Sequence, residues 1–251
     1  MKFIVKHKEE LGRELMEKVT AFLEKNGAEW TGETEDDADF AVVIGGDGTL
    51  LKHHSQLKCP ILGLNPGHSV GHYMRACSDD YQEKILRLIK GKEGHDYHVY
   101  GLLRLEAAVN GRKMDATALN DVLVSPIYVR KALKSTLRID SRESLETNSG
   151  IIVYTPTGST AFAHSAGAKK IRYDRNVFGV TAFAPYAGEL KKGEIVLGKG
   201  HVEIECLSDE GEVSIDGSGL NVRKLHPGDT VSVGKCRHPV KLVGFRKRFA
   251  G

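Results

Sequence analysis

At 251 residues, with 40% hydrophobic and 27% charged residues, the chain has room for one large domain or two smaller ones and the make-up of an ordinary soluble protein. A formal net charge of +3 is too small to point to nucleic acid, and Arg246-Lys247-Arg248 reads as a solvated tail. Cys59, Cys77, Cys206 and Cys236 are far apart with no C-x-x-C pair, which argues against a zinc site or a disulfide framework. The apolar run at Phe3-Ile4-Val5 is too short for a signal peptide and no stretch has the length of a membrane span, so a cytoplasmic protein with no membrane or nucleic-acid partner is expected.

Phe3 to Val5 reads as a first strand. Glu9 to Asn26 carries Leu11, Leu15, Val19, Phe22 and Leu23 at helical spacing, with Gly27 as the stop. Glu33 to Asp39 is an acidic loop. Then comes Val42-Val43-Ile44-Gly45-Gly46-Asp47-Gly48-Thr49-Leu50-Leu51, a buried strand running into three glycines around one carboxylate. Gly45, Gly46 and Gly48 let a ligand approach the main chain, and the following residues can open a helix whose free N–H groups attract phosphate. A carboxylate inside a phosphate cradle repels phosphate unless it holds a metal or takes a proton from an attacking hydroxyl, and both roles belong to phosphoryl transfer. The alternative is a strand-to-helix turn with Asp47 as a cap. Neither the Walker A ending nor the dinucleotide glycine spacing is present.

Cys59 to Asn65 reads as another buried strand, leading into Pro66-Gly67-His68-Ser69-Val70-Gly71-His72-Tyr73. Tyr81 to Ile89 reads as a helix. Strand and helix alternate through this half, as in a parallel α/β sheet with its ligand at the strand ends. After Lys90 the texture changes to short β-rich runs: Tyr97–Ala108, Asp121–Val124, Ser135–Asp140, Gly150–Tyr154, His201–Cys206, Glu212–Ile215, Thr230–Val233 and Pro239–Phe245. The expected fold is therefore α/β plus all-β. A parallel α/β nucleotide-binding domain over 1–92 precedes a β-rich, sandwich-like substrate domain over 93–251, whose last residues can return to the first. A cleft between the two is the expected ligand site. Asn120-Asp121 is either a turn or a holder of ribose hydroxyls and base edges, and Asp216-Gly217 is chiefly a hairpin turn. In Thr155 to Gly167, Ser159 or Thr160 can cap a short helix of small residues, making either a second polar cradle or a closely packed turn. His53, His54, His68 and His72 lack carboxylate or cysteine partners at ligand spacing, so no protein metal cage is expected.

Taken together, Gly45-Gly46-Asp47-Gly48-Thr49, Asn65-Pro66-Gly67 with Gly71, Leu119-Asn120-Asp121, Thr155-Pro156-Thr157-Gly158-Ser159-Thr160-Ala161-Phe162 with Ser165-Ala166-Gly167, and Ile215-Asp216-Gly217 resemble the NAD kinases in order and spacing. The glycine block alone is shared with lipid kinases and loosely with phosphofructokinases, whereas the Thr-Pro-Thr-Gly-Ser-Thr-Ala block is far more discriminating. The resemblance implies transfer of the ATP γ-phosphate to the 2′-hydroxyl of NAD's adenosine ribose, with Mg²⁺ or another divalent ion arriving with ATP near Asp47, and a homodimer or homotetramer. By matching position, Asp47 would be the general base or metal-organising carboxylate. Gly45, Gly46, Gly48 and Thr49 would form the phosphate loop, Gly48 and its neighbours touching the NAD pyrophosphate. Lys52 would add positive charge, Asn120 and Asp121 would hold the nucleoside, and Thr160, Ala161, Phe162 and Ser165 would line the adenosine side.

The departures from the family pattern gather on the NAD side. His72 stands for Phe and would stack on adenine, Phe162 for Tyr, Ser149 for an Asp that contacts the nicotinamide end, Ala168 for Gly, and Ser218 for Gln. Pro185-Tyr186 stands where the family has Pro-His. The resemblance is thus to a divergent NAD kinase, with NADH as another acceptor and polyphosphate as another donor left open. The competing readings are a lipid kinase sharing the glycine loop and a non-catalytic nucleotide-binding regulator.

Overall fold

Burial of Phe3, Ile4 and Val5 anchors the first strand, β1 (Lys2–His7). In a computed structural model, which describes residues 1–8, 12–67, 71–128, 130–190, 196–197, 200–219, 221–247 and 249, the chain forms two units. Met1–Gly101 with Val240–Gly251 is the first and Leu102–Pro239 the second. In the first unit, α1 (Arg13–Lys25) buries Leu15, Val19 and Leu23, one apolar stripe at steps of four. Gly27, at φ +74°, follows it as a left-handed stop. The part of the expected helix at 9–11, with Leu11, lies outside the described residues, as do His68, Ser69, Val70 and Arg248. Then follow β2 (Glu29–Thr31), β3 (Phe40–Ile44), α2 (Asp47–His53), β4 (Ile61–Asn65), β5 (Met74–Cys77), α3 (Tyr81–Lys90) and β6 (His98–Leu102). Every residue of β3 is buried, as its unbroken apolar run requires of a strand covered on both faces.

The second unit contains β7 (Leu105–Val109), β8 (Arg112–Ala118), β9 (Asp121–Pro126), β10 (Leu133–Ile139), β11 (Arg142–Asn148) and β12 (Gly150–Tyr154). After a 3-10 turn at Gly158–Thr160 come α4 (Phe162–Ser165), β13 (Phe178–Phe183), β14 (Val196–Leu197), β15 (Val202–Cys206), β16 (Gly211–Ile215), β17 (Val222–Leu225) and β18 (Thr230–Lys235). Among the described residues they form two sheets, ordered β11-β10-β15-β18-β7-β8 and β14-β13-β12-β9-β16-β17, whose resolved pairings are antiparallel. Leu105, Leu137, Ile204 and Val231 from one and Val122, Val153, Val180 and Val213 from the other share a single apolar core, which makes a sandwich. The last strand, β19 (Val240–Gly244), joins the first unit's sheet, ordered β2-β1-β3-β4-β19-β6, with β5 also on β4. The pairs β1–β2, β1–β3, β3–β4, β4–β5 and β4–β19 run parallel.

Several details differ from the sequence reading, in which β2, β5, β13, β14 and β17 are not among the expected strands. The run Tyr97–Ala108 is two strands, β6 and β7, in different sheets. The strands β8 and β11 were not expected because they are half polar, each exposing one face along a hairpin edge. The change of texture at residue 92 precedes the change of unit, which falls between Gly101 and Leu102.

Candidate active site

In the first unit, the parallel pairing of β1 with β3 sets His7 beside Ile44, so the C-terminal ends of both strands lie side by side. Gly45 continues β3 at φ +154°, and a Cβ there would sit 2.3 Å from Thr49 Oγ1, so only glycine fits. Gly46 is extended at the N-cap of α2, and Asp47 is its first residue. The helix therefore opens two residues earlier than the Thr49 start read from the sequence. Asp47 does not cap it. Its carboxylate turns to the loop after β4, where Oδ2 accepts the His72 N–H and Oδ1 the Tyr73 N–H, each at 2.8 Å. Gly71 makes the close approach possible, since a Cβ there would lie 2.6 Å from Oδ1. The His72 ring is exposed and stands edge-on to Tyr73.

Gly46, Gly48, Thr49, Lys52 and His53 line a cavity of ≈ 580 Å³ together with His7 and Lys8 from the end of β1. The cavity is cationic, and His53 registers the field. Burial, then Lys52, Lys6 and His7 push its imidazole down to about 4, so the ring is neutral at pH 7. The sequence reading missed His7 and Lys8 as cavity wall, while His53 falls near the site by sequence. A signal was present, since Lys6-His7-Lys8 ends the first strand of a parallel sheet, where ligands collect.

In the second unit, β9 lies between β12 and β16, with Asp121 opposite Tyr154 and Val122 opposite Ile215. This register gathers three distant turns. Asp216, at φ +52°, does more than turn the β16–β17 hairpin. Its carboxylate accepts the N–H groups of Leu119 (2.9 Å), Asn120 (2.7 Å) and Asp121 (3.0 Å). The hydroxyls of Thr155 and Thr157 donate to the Leu119 carbonyl at 2.6 and 2.7 Å, and the Gly158 N–H donates to Thr155 Oγ1. A Cβ on Gly158 would lie 1.9 Å from the Asn120 carbonyl oxygen. The buried hydroxyls of the block thus build the turn. Ser159 and Thr160 are not helix caps either, since each hydroxyl donates backward to the carbonyl of Pro156 or Thr157. What the block presents outward is Thr160, half-buried Ala161, Ser165 and Phe162, whose ring is 40% exposed and 5.4 Å from Phe183.

Asp121 is 5% exposed, and burial, then the Asp216 charge, raise its carboxyl to about 7. Asn120 beside it is half-buried. The structure therefore brings Gly45 to Thr49, Lys52 and His72 together in the first unit. In the second it brings Asn120 and Asp121 against the turn that carries Thr160 to Ser165.

Two family domains match this chain: the ATP-NAD kinase N-terminal domain over residues 2–93 and the ATP-NAD kinase C-terminal domain over residues 98–245. An NAD kinase of Prosthecochloris aestuarii is 30% identical over 271 residues, covering 99% of this chain and 93% of its own. One of Thermoplasma volcanium is 28% identical over 215 residues, covering 85% and 76%. Among solved structures, an NAD kinase from Archaeoglobus fulgidus in complex with ATP superposes with a TM-score of 0.76 at 23% identity, covering 99% of this chain and 94% of that one. Yeast NADH kinase complexed with NADH superposes at 0.86 with 18% identity, covering 99% and 84%. At such identities the two structures speak for the fold alone.

Proposed function

The chain belongs to the NAD kinase family, and we propose that it acts as the family name says: it transfers the γ-phosphate of ATP to the 2′-hydroxyl of the adenosine ribose of NAD, giving NADP. It is a phosphotransferase. The two matched domains disfavour a lipid kinase and a non-catalytic regulator.

The observation that carries the mechanism is the placing of Asp47. Its flanking glycines face the cationic cavity, while its carboxylate is held on the loop 71–73. In this reading the cavity takes the triphosphate, with Lys8 and Lys52 balancing its charge and neutral His53 offering a hydrogen bond. The acceptor hydroxyl comes to the Asp47 carboxylate. As the 2′-oxygen bonds to the γ-phosphorus and the bond to the β-phosphate oxygen breaks, the hydroxyl proton passes to Asp47 and ADP leaves. A ribose hydroxyl is a poor nucleophile, so most of the work is holding the reactants in line. The two backbone N–H groups fix Asp47 for that purpose and leave its other lone pairs for the hydroxyl. A lone carboxylate beside a phosphate cavity also fits Mg²⁺, which binds through nucleotide phosphates and one or two carboxylates. Asp47 would hold it, and bound there it would spread the charge developing on the triphosphate.

On the NAD side, Asn120 and Asp121, braced by Asp216, hold the nucleoside, and Thr160, Ala161, Phe162 and Ser165 meet the adenosine. The His72 ring stacks on adenine. The first unit serves as the nucleotide domain and the second as the NAD domain. A cytoplasmic homodimer or homotetramer, working on nucleotides without nucleic acid or membrane, completes the reading. Among the described residues no helix is long and apolar enough to cross a membrane.

The test is NADP formation from ATP, Mg²⁺ and NAD, coupled to an NADP-specific dehydrogenase, with NADH and polyphosphate run in parallel. Wild type should turn over and Asp47→Asn should lose at least about 100-fold in kcat while remaining folded. Turnover retained in Asp47→Asn removes Asp47 as the base. A folded wild type that binds nucleotide without turning over overturns the kinase reading.

A further inference from the structure

The loop that holds Asp47 is itself held from behind. The His72 ring lies 5.5 Å from the ring of Phe249, edge to face. Phe249, beyond β19, is only 5% exposed, and Tyr100 covers another edge at 5.7 Å. Arg75, two residues after Tyr73, fastens it in place. Its guanidinium lies 4.4 Å over the Phe249 ring centroid, Nη2 donates to the Phe249 carbonyl at 3.1 Å, and Nη1 donates to the Met74 carbonyl at 2.9 Å. The Arg75 carbonyl is tied in turn by Lys84 Nζ at 2.6 Å. Asp47 is also close enough to Arg75 for its charge to act on the guanidinium. These contacts converge on the short segment whose two amides grip the Asp47 carboxylate.

A mere filler of the apolar surface has no need of a guanidinium bonded at once to the ring, to the carbonyl beside it and to the strand leading from the loop. A carboxylate that must meet a hydroxyl in line needs its support fixed, because about 1 Å of misplacement costs on the order of 100-fold in rate. We propose that Arg75 and Phe249 are positioning residues: by locking His72 and Tyr73 they keep two backbone N–H groups, and through them the Asp47 carboxylate, aimed at the acceptor hydroxyl. The catalytic half of this rests on the reading of Asp47 as the base, while the clamp stands on the contacts alone.

Four variants test it: Phe249→Ala, Phe249→Trp, Arg75→Met, and Phe249→Ala combined with Asp47→Asn. The readouts are kcat, KM for NAD and ATP, and amide hydrogen exchange at His72 and Tyr73. Phe249→Ala and Arg75→Met should lower kcat by about 10- to 100-fold with little change in either KM. They should speed exchange at His72 and Tyr73 while leaving the amides of β3 and α3 as they are. Phe249→Trp should restore most of the rate. The double variant should be no slower than Asp47→Asn alone, since both changes remove one function. A rise in KM with kcat unchanged, or additive losses in the double variant, overturns positioning through Asp47. Unchanged exchange at His72 and Tyr73 overturns the clamp, and that readout stands even if wild type makes no NADP, the outcome that overturns the kinase reading and the catalytic half with it.

Discussion

Asp121→Asn should make the protein more stable at alkaline pH and leave it unchanged in acid. Asp121 is almost fully buried beside Asp216, whose carboxylate is spent on three backbone N–H groups. Its carboxyl is raised from 3.8 to about 7 by burial and by that neighbouring charge. A carboxyl raised in the folded state holds its proton more tightly than the unfolded chain does. The stability it contributes is therefore complete below about pH 4 and is lost as pH rises through about 7. Three pH units at about 1.4 kcal/mol each make the whole loss about 4 kcal/mol, of which roughly 2 kcal/mol falls between about pH 5.5 and about pH 8.5. Asparagine keeps the shape, carries no charge and can donate to Asp216. Urea unfolding followed by far-UV circular dichroism, at both pH values, measures the difference. The gap between Asp121→Asn and wild type should widen by roughly 2 kcal/mol from the lower pH to the higher. Parallel pH profiles for the two proteins would show that Asp121 is not the titrating group and that the buried pair does not carry this cost.

Gly179→Ala should destabilise the second unit by about 1–3 kcal/mol in the same unfolding experiment, because the added methyl would sit 2.2 Å from Cζ of the buried Tyr154 ring, which has nowhere to go. Thiol labelling of the native protein at mildly alkaline pH should modify Cys236 first. Cys59, Cys77 and Cys206 are buried, and burial pushes the Cys59 thiol up to about 11. Rapid labelling of all four without denaturant would contradict that burial.

The glycine loop was legible in the residues alone, because an apolar run, glycines that admit unusual backbone and one misplaced carboxylate are all local signals. So were the α/β character of the first unit with its parallel β1, β3 and β4, the β-rich second unit and the family likeness, which rest on periodicity and on short motifs in order. The half-polar strands β8 and β11 were not legible, since edge hairpins bury only alternate residues and owe their pairing to partners elsewhere. Nor was the grip of Asp216 on Asp121, which spans 95 positions and exists only because β16 and β9 pair in one register. His7 and Lys8 became cavity wall only when β1 lay down beside β3. The hydroxyls of Thr155 and Thr157 show the same limit from the other direction. Composition leaves the block open between a polar cradle and a closely packed turn; the fold spends both hydroxyls on the Leu119 carbonyl and leaves Thr160, Ser165 and the Phe162 ring to face outward. Sequence determines which groups can bond and where the chain can turn; which partner each group takes is decided by long-range strand register, because a buried donor or acceptor must be satisfied by whatever the neighbouring strand brings to it.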